Sequence, residues 1–225
     1  MNPLLRGSAA HVFVESLAVP VLRGDDEHHL RRVLRIRQTD SISVSDGVGG
    51  WLVANLLADG LSVASSVMFD PAPPSTSVFS AIPKGDRPEW IVQKLTEVGV
   101  TSIGFIHCAR SVVQWDESRR QRQLERLRRV AREAAMQSRR LWLPHVHDVL
   151  SFDEAIKSIS CAIAHPDGEA MTADIDTVLI GPEGGFTEGE LAAAAHRVTL
   201  SENVLRVETA ALTAAILLTQ RHERT

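Results

Sequence analysis

From residue 77 onward, short apolar runs alternate with helical segments, and this constrains the fold more than any other feature: it predicts a parallel sheet flanked by helices. "SVFSAI" (77–82) reads as a buried strand, "PEWIVQKLTEV" (88–98) as a helix with Pro88 in its first turn and Gly99 just past its end, and "TSIGFIH" (101–107) as the next strand. A long basic helix is predicted over 117–138, with Leu124, Leu127, Val130, Ala131, Ala134 and Ala135 on one side, and Pro144 stops any continuation. "SFDEAIKSI" (151–159) opens with a Ser-x-x-Glu capping box; "CAIAH" (161–165), "TVLI" (177–180) and "RVTL" (197–200) are further strands. The last helix, from about Glu208 to Arg221, is so apolar that packing on nearly every side is expected.

The first seventy residues have a different period. "HVFVE" (11–15), "SISVS" (41–45), "WLVANLL" (51–57) and "LSVASSVMF" (61–69) read as strands, with turn signals at Asp46-Gly47, Gly49-Gly50 and Asp59-Gly60. One helix interrupts them over 25–36, where Leu30, Val33 and Leu34 recur at helical spacing. "DPAPPSTS" (70–77) is a linker, so two domains are expected, 1–72 and 76–225.

No apolar run approaches the roughly 20 residues of a membrane span, and no charged region followed by an apolar one opens the sequence, so a cytoplasmic protein is expected. Cys108 and Cys161 are too few for a disulfide framework and lack metal-ligand spacing; both read as small core residues. The formal net charge of -4 hides a polarised chain. Residues 109–140 hold ten arginines against four acids, whereas 151–190 hold one base, Lys157, against nine acids, and a basic face of that kind can bind phosphate. His145 and His147 would share a strand face, without a third ligand for a metal. The four tryptophans read mostly as core anchors, with Trp142 a candidate for stacking on a nucleobase.

The stretch "LIGPEGGFTEGEL" (179–191) is the first functional signal. Thr187 and Glu190 form a capping box, so the loop from Gly181 to Phe186 lies at the carboxyl end of a strand, where ligands of open α/β sheets bind. Its glycines allow a ligand against the main chain; a tight turn without a ligand is the alternative. Neither the phosphate loop nor the dinucleotide fingerprint matches the spacing. The second signal is "LSENVLRVETAALTAAILL" (200–218), where Glu202, Asn203, Arg206 and Glu208 lead into the apolar helix and must pair with one another or face a site.

"LIGPEGGF" followed by "VLRVETAALTA" closely resembles the RsmE family, the uridine-N3 methyltransferases of 16S ribosomal RNA within the SPOUT superfamily. "HHLRRVLR" (28–35), "KGDRPEWIVQKLTEVGV" (84–100), "ARSVV" (109–113) and "QSRRLWLP" (137–144) fall where that family has similar segments. The resemblance implies a PUA-like RNA-binding β-barrel, then a SPOUT parallel sheet with a deep trefoil knot, and a homodimer acting on uracil 1498 of the small subunit's RNA. It implies S-adenosylmethionine as cofactor, walled by His165 and Pro166, by Ile180, Gly181, Pro182, Glu183 and Gly184, and by Leu200, Ser201, Asn203, Val204 and Leu205.

Methylating uridine N3 requires an unpaired base, loss of the N3 proton and stabilisation of the resulting charge. Arg206 is the candidate for the charge; Glu183 and Glu208 are the candidates for the base, although Glu183 is also placed to complement the sulfonium and Glu208 to orient Arg206. Arg31, Arg32, Arg35, Arg37, Lys84, Arg87, Arg110, Arg139 and Arg140 are the candidates for RNA phosphates. Two departures from the family pattern stand out. Ser201-Glu202-Asn203 replaces the usual Gly-x-Arg, and Arg139 occupies the place of a usual glycine, which suggests that Arg139 compensates for the arginine missing at Asn203. Another SPOUT RNA methyltransferase, acting on a ribose 2′-hydroxyl or on transfer RNA, and a non-catalytic RNA-binding or ribosome-assembly factor remain alternatives.

Overall fold

A computed structural model describes residues 1–157 and 161–221 in two compact units. The first takes Met1–Pro73 and Arg132–Leu143; the second takes Pro74–Ala131 and the chain from Pro144 onward.

In the first unit α1 (Pro3–Gly7) precedes a five-stranded sheet of β1 (His11–Phe13), β2 (Ser41–Ser45), β3 (Gly50–Leu57), β4 (Gly60–Val63) and β5 (Met68–Phe69). β1 and β2 are parallel, and β3 pairs antiparallel with β2, β4 and β5. The expected single strand over 61–69 is broken. Ala64 still donates to the Val53 carbonyl, but the Ser65 hydroxyl accepts from the Val53 amide at 2.9 Å, so a side chain replaces the next rung of the ladder. The helix expected over 25–36 is a short α2 (Gly24–His28) continued by a π-helical turn, His29–Val33. That wider turn buries Leu30 and leaves Val33 and Leu34 exposed, so the predicted apolar stripe shrinks to one residue. Arg132 binds Asp26 through two hydrogen bonds, 2.9 and 2.6 Å, and donates to the Phe13 carbonyl, fixing α2 within this unit.

The second unit holds a seven-stranded, wholly parallel sheet in the order β12-β10-β11-β6-β7-β8, with β9 also on β7. The strands are β6 (Ser77–Ala81), β7 (Ser102–His107), β8 (His145–Val146), β9 (Leu150–Ser151), β10 (Cys161–Glu169), β11 (Thr177–Ile180) and β12 (His196–Val198). Both faces are covered, which is why its strands read as apolar runs. Val78, Phe105, Ala162 and Val178 join a core with α3 (Arg87–Val98) and α7 (Val207–Arg221), while Phe79, Ile106, Ile163 and Leu179 join one with α5 (Phe152–Ala155). α4 (Glu117–Ser138) begins in this unit, and α6 (Glu188–Ala193) follows the glycine loop.

Three expectations need correction here. β10 runs past His165 to Glu169, because Gly168, lacking a Cβ, lets the strand close on β12; a Cβ would stand 2.4 Å from the Val198 carbonyl carbon. α7 is buried on one side through Ala211, Ala214, Ala215 and Leu218, while Leu212, Ile216 and Leu217 are only half-buried. The helix expected over 151–159 closes after one turn at Ala155, and residues 158 and 159 lie outside the described residues. Among the described residues no helix is long and apolar enough to cross a membrane.

Candidate active site

β11 lies between β10 and β6, so the glycine loop leaves the sheet near its middle, at the carboxyl edge. A pocket of about 620 Å³ opens there. Three segments supply most of its walls: Ala164 to Pro166 on β10, Ile180 at the end of β11 with the loop to Phe186, and residues between Thr199 and Val207 leading into α7; Arg110 and Ala210 complete the lining. The structure therefore brings together His165, Pro166, Ile180, Gly181, Pro182, Glu183 and Gly184 from two walls with Leu200, Ser201, Asn203, Val204 and Leu205 from the third.

The loop's shape follows from its residues. Gly185 donates to the Pro182 carbonyl at 2.8 Å and has a φ of 69°, a left-handed backbone that glycine adopts without strain. A Cβ at Gly181 would stand 2.9 Å from the Phe186 ring, which is buried against Phe152. The loop ends in the predicted capping box: Glu190 donates its amide to the Thr187 hydroxyl, and its carboxylate accepts from the Thr187 amide at 2.7 Å. The other carboxylate oxygen accepts from the Ala109 amide at 2.8 Å. Next to Ala109, Arg110 donates through one Nη atom to the carbonyls of Gly184 and Phe186, at 3.0 and 3.1 Å. Arg110 is thus a brace on the glycine loop as well as a pocket wall. Sequence reasoning identified Glu190 only as a cap; its second oxygen was the unread signal.

Arg87 ties the other side. Its guanidinium lies 4.0 Å from Glu183 and 3.6 Å from Glu208, linking the glycine loop to the first turn of α7. Of the two alternatives for these polar groups, pairing of Arg206 with Glu208 is not what is found: residues two apart at a helix start do not face each other, and Glu208 turns to Arg87. Glu208 does not line the pocket, and its Oε2 is buried without a hydrogen-bond partner. Arg206 lines the pocket, is exposed, and among the described residues has no side-chain hydrogen bond or ion pair.

Ser201 has no positive φ, so its backbone conformation does not call for glycine; its hydroxyl accepts from the Asn203 amide at 3.1 Å and shapes the turn. Within the first unit Arg139 is held locally. It adopts a φ of 56° and donates to the Ser8 carbonyl and hydroxyl, a local tether in the first unit. Arg31 is likewise bound, to Glu27 at 2.8 Å and to the Leu57 carbonyl, whereas Arg32, Arg35, Arg37 and Lys84 are exposed. Arg140 is mostly buried, and loss of solvent pulls its guanidinium down to about 10. The Trp142 indole covers Gly49 and donates to the Asp70 carbonyl at 3.3 Å, so it is a packing residue with only part of its surface open. Burial pushes the Cys108 and Cys161 thiols up to about 12, removing thiolate chemistry at neutral pH. Among the described residues no cluster of three or more metal-binding side chains exists, and the rings of His145 and His147 instead pack edge to face, 4.2 Å apart.

Comparison with known proteins places this sheet and loop in a family. The profile of the RNA methyltransferase domain matches residues 70–219. Two similar proteins carry the name ribosomal RNA small subunit methyltransferase E. That of Bacillus subtilis is 30% identical, with 90% of each chain covered, and that of Mycobacterium bovis is 34% identical, covering 88% of this chain and 84% of its own. A crystal structure of the Neisseria gonorrhoeae protein of that name, bound to S-adenosylmethionine, superposes with a TM-score of 0.77 at 25% identity, covering 94% of this chain and 97% of its own. The class is that of the RNA methyltransferases. Within it, the chain belongs to the family of ribosomal RNA small subunit methyltransferase E.

Proposed function

We propose that the protein transfers a methyl group from S-adenosylmethionine to N3 of one uridine in 16S ribosomal RNA, acting on the assembled small subunit. The observation that carries this is the pocket at the carboxyl edge: the loop Gly181–Gly185 lines it, while Ile180, Pro166, Leu200 and Leu205 make the walls apolar enough for an adenosine. The cofactor supplies an already activated methyl group, so the protein's task is alignment. The unpaired Arg206 guanidinium at the pocket faces the charge that develops on the uracil ring as N3 loses its proton. Glu183, on the pocket wall, is the better placed acceptor of that proton, since Glu208 lies off the wall and is held by Arg87.

The exposed Arg32, Arg35 and Arg37, with Lys84, are the phosphate contacts in this reading. Arg87 and Arg110 add to them only through the donors left over from their loop contacts, and Arg139 and Arg140 take a lesser part because they are largely turned inward. The domain reading is retained as part of the proposal: a PUA-like barrel over 1–72, supported by the mixed, mainly antiparallel sheet of the first unit, and a knotted SPOUT domain over 76–225, supported by the parallel order around β11. A homodimer is proposed on the half-buried Leu212, Ile216 and Leu217 of α7, an apolar strip suited to a second copy.

The test is methyl transfer from labelled S-adenosylmethionine to small ribosomal subunits lacking the modification, with naked 16S RNA alongside and the product nucleoside identified. Labelled 3-methyluridine is the expected product, with subunits preferred over naked RNA. A 2′-O-methylated product, or no transfer, would overturn the reading.

A further inference from the structure

A second cavity, about 260 Å³, lies in the second unit between the loop Pro83–Gly85, which follows β6, and the segment carrying Val113, Trp115, Arg119 and Gln123, which follows β7. β6 and β7 are parallel neighbours, so both segments leave the sheet at the same carboxyl edge as the glycine loop. Three residues after Lys84, Arg87 reaches Glu183 of that loop. Lys84, Arg119 and Gln123 supply the polar side chains of the lining, with Pro83, Gly85, Val113 and Trp115 beside them. Lys84 and Arg119 are exposed, and among the described residues neither side chain has a hydrogen bond or ion pair. The carboxamide of Gln123 is also without a protein partner there, and no carboxylate lines the cavity. Asp116, the acid just before α4, is engaged in starting that helix, accepting from the Arg119 amide at 2.8 Å and the Ser118 hydroxyl at 3.0 Å.

Trp115 also lines the cavity: the residue is 5% exposed, with its ring 5.9 Å from that of Phe105, and among the described residues its indole N–H has no protein acceptor. A further donor beside two unpaired cations, with no carboxylate in the lining to compete, suits an oxyanion. A metal cation is disfavoured by the same charges, and the space is small for a stacked base beside its sugar.

We propose that this cavity holds a backbone phosphate of the RNA substrate, through Lys84, Arg119 and the Trp115 indole N–H. The proposal rests on the RNA-methylating reading above and gives that substrate a second point of attachment along the sheet edge. Such a contact sets the register of the strand without reading its sequence.

The indole N–H signals of the four tryptophans can be followed by 1H–15N spectroscopy, with that of Trp115 assigned through Trp115→Phe, while a 16S RNA fragment or inorganic phosphate is titrated in. The expected result is a shift of the Trp115 signal at micromolar RNA, with inorganic phosphate acting only at far higher concentration. Lys84→Ala and Arg119→Ala should each weaken RNA binding about tenfold at low salt, lower the slope of log K against log salt by about one, and leave S-adenosylmethionine affinity measured by calorimetry unchanged. RNA binding that leaves the Trp115 signal, the affinities and the slopes of the variants as in the parent would overturn the site. A response to free phosphate but not to RNA would overturn its assignment to RNA. Failure of the parent protein to bind RNA at all, with the cofactor still bound, would overturn the substrate reading and this inference with it.

Discussion

Glu190 accepts the Ala109 amide at 2.8 Å with the oxygen that its own capping box leaves over. A single buried carboxylate thereby fastens the start of α6 to the turn after β7, and with it the glycine loop to the arginine that braces it. Glu190→Ala removes a cap and leaves the Ala109 amide without its partner, so a loss of about 2–3 kcal/mol is expected. Urea unfolding measures it; a midpoint within error of the parent would show that the carboxylate is not needed.

Arg110 holds two loop carbonyls with one nitrogen. Arg110→Ala should weaken S-adenosylmethionine binding by about tenfold, roughly 1.4 kcal/mol, and Arg110→Lys by less, since one ammonium can still reach a single carbonyl. Calorimetry on the RNA-free protein separates the effect from substrate binding. Equal affinities in all three proteins would leave the brace without a role in the cofactor pocket.

His11 gives the first unit a pH dependence. Its Nε2–H donates to the Arg140 carbonyl at 3.1 Å and its Nδ1 pairs with the Ser43 hydroxyl, so the neutral ring is satisfied. Burial pulls its pKa from 6.5 down to about 4. Above pH 6.5 neither state carries the proton and the stability is complete; as pH falls from 6.5 toward 4 the unfolded chain gains a proton that the fold refuses. Stability should decline across that window by about 3 kcal/mol from this residue. Chemical unfolding between pH 7.5 and 4.5 should show a flatter profile for His11→Gln than for the parent.

Ser201→Gly tests the departure from the family pattern. The backbone there has no positive φ and the hydroxyl bonds the Asn203 amide, so glycine should lower stability by about 0.5–1 kcal/mol and bring no gain in cofactor affinity. Tighter S-adenosylmethionine binding by the glycine variant would contradict this account of the turn.

Gly168→Ala should be among the more damaging single methyl additions in the sheet. Its Cβ would meet the Val198 main chain at 2.4 Å, and backbone cannot step aside as a side chain can, so about 2 kcal/mol or more is expected. Thermal unfolding with and without S-adenosylmethionine would measure the loss in the fold and in the pocket together.

The elements that sequence reading located best are those set by local signals. β2, β11 and α4 match their expected bounds because period, caps and turn residues all lie within each segment. The break at Ser65, the wide turn after His28 and the extension of β10 through Gly168 escaped it, since each depends on a partner strand or core that local pattern does not specify. The grouping of three distant loops around one pocket was legible through the position of strand ends and the family resemblance. The partner of Glu208 was not, because choosing between Arg87 and Arg206 takes the direction of each side chain at the start of α7.

The register of β11 on β6 sets Thr177 opposite Ser77, and β10 joins only through β11. The pocket's walls come from one stretch of the chain, but the sheet edge that carries them is completed by the pairing of β11 with β6, a segment far earlier in the sequence, and such pairings form late because long loops must close first. A ligand gripped by all three walls has nothing to hold until they meet. Saturating S-adenosylmethionine should accordingly lengthen the lifetime of the folded protein while leaving its refolding rate almost untouched, so that the cofactor acts as a lock on a finished chain and not as a template for an unfinished one.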